Sequence, residues 1–584
     1  MDTLRLRAGI AACEPDEPAS NKLFVVVRPG MLSKHARRSL VAAVIAVLCA
    51  VAAHGIGKGE FDYNVDEAQH AVTGLFVADA MHDMPLRHPV AYAYRYYAQY
   101  PAVALVHWPP LFYVVEGLSF LALGPGVVAA RISVLLFLAL LLYQWFRLVE
   151  ELQDSFTAVI ATFILATIPL MLVFEKAVML EIPSLALGIA AIRAWIRYLD
   201  DGRRVSLVRW ALWASAAMLC KQTSVYIFVF CLLSVAASRQ WGRLWTRKIW
   251  LAIAILAVLA GPFYLLMLMS HGASVAKDLG SHQLIGLQRI AYFFRSTPRT
   301  FSIPLLGLSA LGLAISQRWN RRGQTALMLS WIAAGYFTFT LFGQSEARFA
   351  IYWFPPLVYF AAGLLTQGFQ TPWMRRPMQV AACVLVLVMT VRAWGFERPY
   401  IAGYQAAAAR LVGNYDSGIV LFDGKVPGNF VFFMRSLDPR RQFLVLRKAL
   451  YVNDVRRNEN SEELLHRREE LLDLFKNDGI RFAVVSENTP LDFPSQSVLR
   501  QILQTNQFQL LGRFPIGGNE PPWRGRSLLL YENKEWAAPV EKVLRIRMLT
   551  LSHDVEVPLD QFDFVRKQSA GPAPVTPAPI MGNQ

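Results

Sequence analysis

Apolar runs of close to twenty residues recur through the first two-thirds of the chain, and no other feature constrains the fold as strongly. That is the length a helix needs to cross about 30 Å of hydrocarbon. Candidate spans lie at 39–57, 127–146, 155–174, 182–198, 210–220, 223–237, 249–270, 301–317, 325–342, 349–365 and 378–394, about eleven in all. Charged residues make up 17% of the chain, against about 25% in ordinary soluble proteins. The expected fold class is a polytopic α-helical membrane protein, with interfacial helices and a small C-terminal α/β domain.

The net charge of +16 does not point to nucleic acid. Much of it sits in short clusters between apolar runs: Lys34, Arg37 and Arg38; Arg203, Arg204 and Arg209; Arg239, Arg243, Arg247 and Lys248; Arg318, Arg321 and Arg322; Arg375 and Arg376. Short basic loops mark the cytoplasmic side of a membrane protein. The segment 110–124 decides the topology. It is too short for a usual span and contains Glu116. If it crossed, the four clusters from Arg203 onward would lie outside. Read as an interfacial helix, it leaves all four inside. The net-acidic loop 147–154 runs against this pattern, although acids count little in the rule.

With the N-terminus inside, the outer side receives the first loop 58–126, the turn 175–181, Lys221, the loop 271–300, residues 343–348 and everything after about 395. Residues 1–38 read as a cytoplasmic tail without a cleavable signal, and Met31 is a candidate start. Residues 396–560 alternate strand and helix signals, with strands at 418–422, 441–446, 480–486, 508–514 and 527–531 and helices at 462–477 and 498–505. The segment 561–584 is a Pro/Ala-rich tail, expected to be disordered. None of the five cysteines lies beyond residue 395, so no disulfide framework is indicated in that C-terminal region.

Asp66 and Glu67 stand just after the first span, where acids are costly unless they face water or have a function. A structural explanation exists for Glu67. Asn64 with Glu67 three residues on forms a capping-box pattern. Asp66 has no such need and is the candidate general base for an acceptor hydroxyl; His70 shares its helix face one turn on. His107-Trp-Pro-Pro opens the interfacial segment. Glu181, Lys221, and Glu346 with Arg348 mark the outer ends of other spans. Taken singly, each is also explicable as a flanking charge. The loop 271–300 carries Lys277, Arg289, Arg295 and Arg299 beside Tyr292, Phe293 and Phe294. That composition suits either an amphipathic segment at the headgroups or an arginine clamp for a lipid phosphate. No metal-ligand spacing, phosphate-binding glycine loop or dinucleotide motif occurs.

The order of these motifs resembles the protein O-mannosyltransferase and aminoarabinose lipid A transferase family, the C-type membrane glycosyltransferases that use polyprenyl-phosphate sugars. It runs from an Asp-Glu pair after the first span to His107-x-Pro-Pro-Leu-x-Tyr113, then an Ala-Arg131 pair, Glu181-Ile-Pro183, Lys221, and Arg348-Phe with Pro355-Pro356. The resemblance covers about 35–395. It implies Asp66 as a catalytic acid with Glu67 beside it, and Glu181 as the second acid. The family's usual Lys before Pro-Pro is replaced by His107-Trp108. The phosphate-binding role then falls to Lys221, Arg348, Arg289 or Arg295, with His70 and His107 lining the site. The implied partners are a polyprenyl-phosphate-linked sugar donor, membrane lipids, and a glycan, lipid or protein acceptor; nucleic acid is not among them. No cofactor is required, and divalent-metal dependence is left open. The implied location is the cytoplasmic (inner) membrane. A lipid transporter or flippase, or a membrane-anchored envelope assembly protein, is the alternative.

Overall fold

A computed structural model describes residues 33–61, 65–281, 287–320, 323–341, 346–453, 461–548 and 553–569. The N-terminal tail up to residue 32, the expected cap Asn64, Arg321, Arg322 and the Pro/Ala-rich stretch from 570 lie outside the described residues.

The first two-thirds is helical. It begins with α1 (Lys34–Ala53), α2 (Val65–Asp83), α3 (Pro89–Gln99), α4 (Leu111–Leu123), α5 (Val127–Leu152), α6 (Ser155–Ala166), α7 (Pro169–Phe174), α8 (Glu181–Asp201), α9 (Arg204–Cys220) and α10 (Tyr226–Ser238). It continues with α11 (Arg247–Leu259), α12 (Gly261–Ser281), α13 (Leu287–Phe301), α14 (Ile303–Ala314), α15 (Gln324–Leu341), α16 (Phe354–Gln367) and α17 (Pro372–Trp394). Five helices among the described residues are long and apolar enough to cross a membrane, or six if the bent pair α11–α12 counts as one. Helices α8 and α16 are enclosed by their neighbours, whereas α17 turns Val380, Val384, Leu387 and Val391 outward.

Several expected spans are interrupted, two of them at a proline. The run 155–174 divides at Pro169, with Ile168 held extended, because proline lacks the N–H and disfavours helix in the residue before it. The run 249–270 bends by 50° at the Gly261-Pro262 step. The run 349–365 begins as a tight 3₁₀ segment, Ala347–Trp353, ahead of α16. Helix α4 has 13 residues, about 20 Å of rise, which is too short to cross.

The C-terminal part is built on a five-stranded sheet of β1 (Gly418–Asp423), β2 (Phe443–Leu446), β3 (Ile480–Glu487), β4 (Phe508–Pro515) and β5 (Ser527–Asn533), in spatial order β2-β1-β3-β5-β4. Strand β1 pairs in parallel with β2 and β3, with Leu421 opposite both Leu446 and Ala483. Its unbroken apolar run fits burial on both faces. Strand β5 is antiparallel to β3 and β4. Four helices accompany the sheet: α18 (Tyr404–Asn414), α19 (Pro427–Leu437), α20 (Arg468–Asn477) and α21 (Pro494–Leu503). The helix expected over 462–477 is shorter than the pattern suggests. Residues Ser461–Glu463 pair as a strand with Tyr451–Asn453. The Glu470 carboxylate then accepts the His466 and Arg467 N–H groups, fixing the helix start there.

The sheet region seats on α2. A Cβ on Gly428 of α19 would lie 2.8 Å from Ala68 Cβ, so only glycine permits this approach. Along α2, Asp79 accepts from Arg435 at 2.7 Å and from Tyr96 at 2.7 Å. Gln99 of α3 donates to the Arg441 and Phe443 carbonyls.

At the far end of α5, Glu150 pairs with Arg37 at 2.9 Å and Arg147 at 2.5 Å, while Glu151 pairs with Arg193 at 2.5 Å and with Arg197. This knot joins α1, α5 and α8. Removing one partner of a buried ion pair costs roughly 3–5 kcal/mol. Glu151→Gln is therefore expected to lower the unfolding temperature of the detergent-solubilised protein, and an unchanged transition would show the knot to be dispensable.

Candidate active site

Helix α2 carries Asp66 and Glu67 in its first turn, where acids complement the helix dipole. The two side chains diverge. Asp66 keeps about a quarter of its surface exposed (26%), whereas Glu67 is 1% exposed. Asp66 Oδ2 accepts from Arg348 Nη1 at 2.8 Å. Glu67 Oε1 instead accepts from Val178 N at 3.1 Å and from Arg398 Nη1 at 2.8 Å.

Glu181 opens α8 and is fully buried. It accepts from Lys221 Nζ at 2.6 Å and lies 3.6 Å from Arg348 Nε. Lys221 stands in the extended step that separates α9 from the following 3₁₀ turn, with its ammonium 5.9 Å from the Trp108 ring centroid and 5.7 Å from that of Phe349. Aromatic faces at that range favour a cation. Arg348, at the start of the 3₁₀ segment, also reaches Glu346 at 2.6 Å. Residues from four distant parts of the sequence thus form one chain of alternating charge: Asp66, Arg348, Glu181, Lys221.

His70 lies one turn below Asp66, is 2% exposed, and meets the Tyr113 hydroxyl through Nδ1 at 2.7 Å. Its ring centroid is 5.7 Å from that of Trp108. Trp108 in turn packs edge-on to His107, whose ring lies 6.0 Å from His271. The His-Trp-Pro-Pro segment therefore walls the charge chain with aromatic rings. Burial pushes the His70 imidazole down to about 4, despite the opposing pull of Asp66 and Glu181, so it is neutral at physiological pH. Burial acts to raise the Asp66 carboxyl, but the Arg348 guanidinium, with the Lys221 ammonium, outweighs it and holds the group below its ordinary value.

Of the residues expected from sequence, Asp66, Glu67, His70, His107, Glu181, Lys221 and Arg348 fall in one neighbourhood. Arg295 is exposed on α13, whose buried Phe293 packs on Trp353. The Arg289 side chain lies outside the described residues. Among the described residues no three His, Cys, Asp or Glu side chains gather as a metal group. Arg398, Glu60 and Arg131 complete the setting. The Glu60 carbonyl accepts from Arg131 Nη2 at 2.7 Å and Arg398 Nη2 at 3.0 Å. Arg131 was legible only as part of an Ala-Arg motif; Arg398, in Phe-Glu-Arg-Pro after the last apolar run, carried no signal beyond a flanking charge.

Residues 107–265, which include His107, Glu181 and Lys221, match the family dolichyl-phosphate-mannose-protein mannosyltransferase. The fold of the chain is similar to that of ArnT from Cupriavidus metallidurans. The apo structure aligns at a TM-score of 0.56 and 14% identity, over 84% of this chain and 98% of ArnT. The undecaprenyl phosphate-bound structure aligns at 0.53 and 13%, over 85% and 98%. No curated protein matches the sequence.

A neutral His70 has a kinetic consequence. The pH–rate profile of the protein is expected to lack a limb near the ordinary imidazole value of about 6.5, and His70→Gln is expected to leave the shape of the profile between pH 5 and 8 unchanged. A wild-type limb near 6.5 that disappears in this variant would contradict the assignment.

Proposed function

We propose that the protein transfers a sugar from a polyprenyl-phosphate carrier to an acceptor hydroxyl at the outer face of the cytoplasmic membrane, with Asp66 as the general base of an inverting single displacement. The observation that carries this reading is the charge chain. It offers one partly exposed carboxylate at its end, beside two cations, within a fold similar to that of an ArnT bound to undecaprenyl phosphate.

The chemistry follows from the charges. A sugar on a lipid phosphate already has a good leaving group, so a protonated acid is not needed. The acceptor O–H proton passes to Asp66 as the acceptor oxygen bonds to the anomeric carbon. The bond from that carbon to the phosphate oxygen breaks on the opposite face, and the lipid phosphate leaves with both electrons. We assign to Arg348 and Lys221 the stabilisation of that developing charge, by donors held in place beforehand. Glu181, fully buried against both cations, orients them.

Sidedness rests on the two ends of α5. Arg131 binds the backbone beside the site, and Glu151 lies in the arginine knot. Twenty residues of helix separate them, about 30 Å of rise, the thickness of a bilayer's hydrocarbon. The arginine-rich end suits the cytoplasm, which leaves the site and the sheet outside. The acceptor class, whether lipid A, an envelope glycan or a protein hydroxyl, follows from comparing envelope glycolipids and glycoproteins by mass spectrometry with and without the protein.

Two outcomes are expected. Asp66→Asn lowers transfer from a polyprenyl-phosphate sugar by about 10²–10⁴-fold, and full activity in that variant refutes the assigned base. Arg348→Gln removes the charge that holds Asp66 down, so the acid limb of kcat/KM moves to higher pH; an unmoved limb would separate the titrating base from Arg348. Assay with and without a chelator reports directly on metal dependence.

A further inference from the structure

We infer that Arg398 is a positioning residue for the transfer step, acting through Glu67 on the placement of Asp66. This inference rests on Asp66 being the base.

Arg398 follows the last long helix, α17, and its backbone is fixed from the sheet side: Asn519 Nδ2 donates to the Arg398 carbonyl at 2.8 Å, and Tyr400 N donates to Asn519 Oδ1 at 3.0 Å. Its side chain turns the other way, into the helical bundle, and is only 7% exposed. One guanidinium nitrogen reaches the Glu67 carboxylate, and the other reaches the Glu60 carbonyl. The Glu60 carboxylate itself accepts the N–H groups of Gly403, Tyr404 and Gln405 at 2.9, 3.1 and 2.9 Å, holding the start of α18.

Glu67 closes the arrangement. The same oxygen that meets Arg398 also accepts from Val178 N, three residues before Glu181. Arg398 therefore ties together the strand of chain leading into α2, the first turn of α2, and, through Glu67, the turn leading into α8. Those are the supports of Asp66 and Glu181. A planar, forked guanidinium suits this task because it holds two acceptors in a fixed relation, which a lysine ammonium does not. Glu67 is adjacent to Asp66 but points away from it into this clamp, so its role is to set the angle at which Asp66 meets the acceptor. A shift of about 1 Å in a reacting group costs on the order of 10²-fold in rate.

The test uses the full-length enzyme in detergent with a polyprenyl-phosphate sugar. Arg398→Gln and Glu67→Gln are each expected to lower kcat on the order of 10²-fold with little change in donor KM. The acid limb of the pH–rate profile should move upward as Asp66 slips from Arg348, and Arg398→Lys should recover only part of the loss. A merely structural role would lower the unfolding temperature without moving the limb. Where Arg398→Gln does not accumulate as folded protein, Glu67→Gln and Arg398→Lys carry the same readouts. Wild-type kcat with an unmoved limb in the folded variants overturns the inference, as does a loss confined to KM. If Asp66→Asn is inactive in parallel, only the positioning role falls; if Asp66→Asn is fully active, the assignment of the base falls instead.

Discussion

The chain of alternating charge from Asp66 through Arg348 and Glu181 to Lys221 is the interaction on which the rest of the structure depends. Desolvating a single ion costs several kcal/mol even after relaxation, and Glu181 and Lys221 are almost wholly removed from solvent. Neither is tenable there alone. Each makes the other possible, and Arg348 extends the pairing outward until it reaches an acid that still meets solvent. The spacing of α2, α8, the α9–α10 break and the 347–353 turn is thereby coupled. Displacing any one of these segments strands a charge. The interruption after Cys220 belongs to this logic, because a continuous helix would not place Lys221 extended and pointing at Glu181.

A second charge cluster explains what first looked like an exception. The net-acidic segment 147–154, which includes the end of α5, runs against a positive-inside pattern when read as sequence. In three dimensions Glu150 and Glu151 are the acceptors for Arg37, Arg147, Arg193 and Arg197. The acids are not free loop charges. They neutralise arginines that three helices bring to one place, and the excess of basic residues at that end survives their presence.

Much of this was legible because it rests on local physics. Apolar runs identified the helices, and the apolar segment 418–422 was legible as a strand of a small α/β domain. Polar residues at the ends of spans identified most of the charge chain. What was not legible depends on long-range geometry. The 3₁₀ segment Ala347–Trp353 has no proline or glycine to mark it, unlike the break at Pro169. Arg398 resembles any charge after a span, and its partner Glu67 lies 331 positions away. The arginines of 271–300 illustrate the converse. Basic and aromatic residues together fitted a phosphate clamp as well as an amphipathic helix, and an exposed Arg295 beside a Phe293 ring packed on Trp353 is compatible with both.

The three nearby acids show how environment assigns roles to the same functional group. Glu67 and Glu181 are each buried beside an ionic partner that shares the carboxylate's charge, and neither has open surface for an acceptor. Asp66 pairs with Arg348 and keeps a quarter of its surface open. It also has the shorter side chain, so its position follows α2 closely and its reach is limited. A base that must act on one hydroxyl beside one anomeric carbon benefits from both properties, since reach without rigidity loses the orientation that accelerates the step. The longer glutamates are better suited to spanning between segments. Glu67 bridges toward Arg398 and Val178, and Glu181 bridges toward Lys221 and Arg348. The proposed division into one reacting acid and two structural ones rests on side-chain length and exposure.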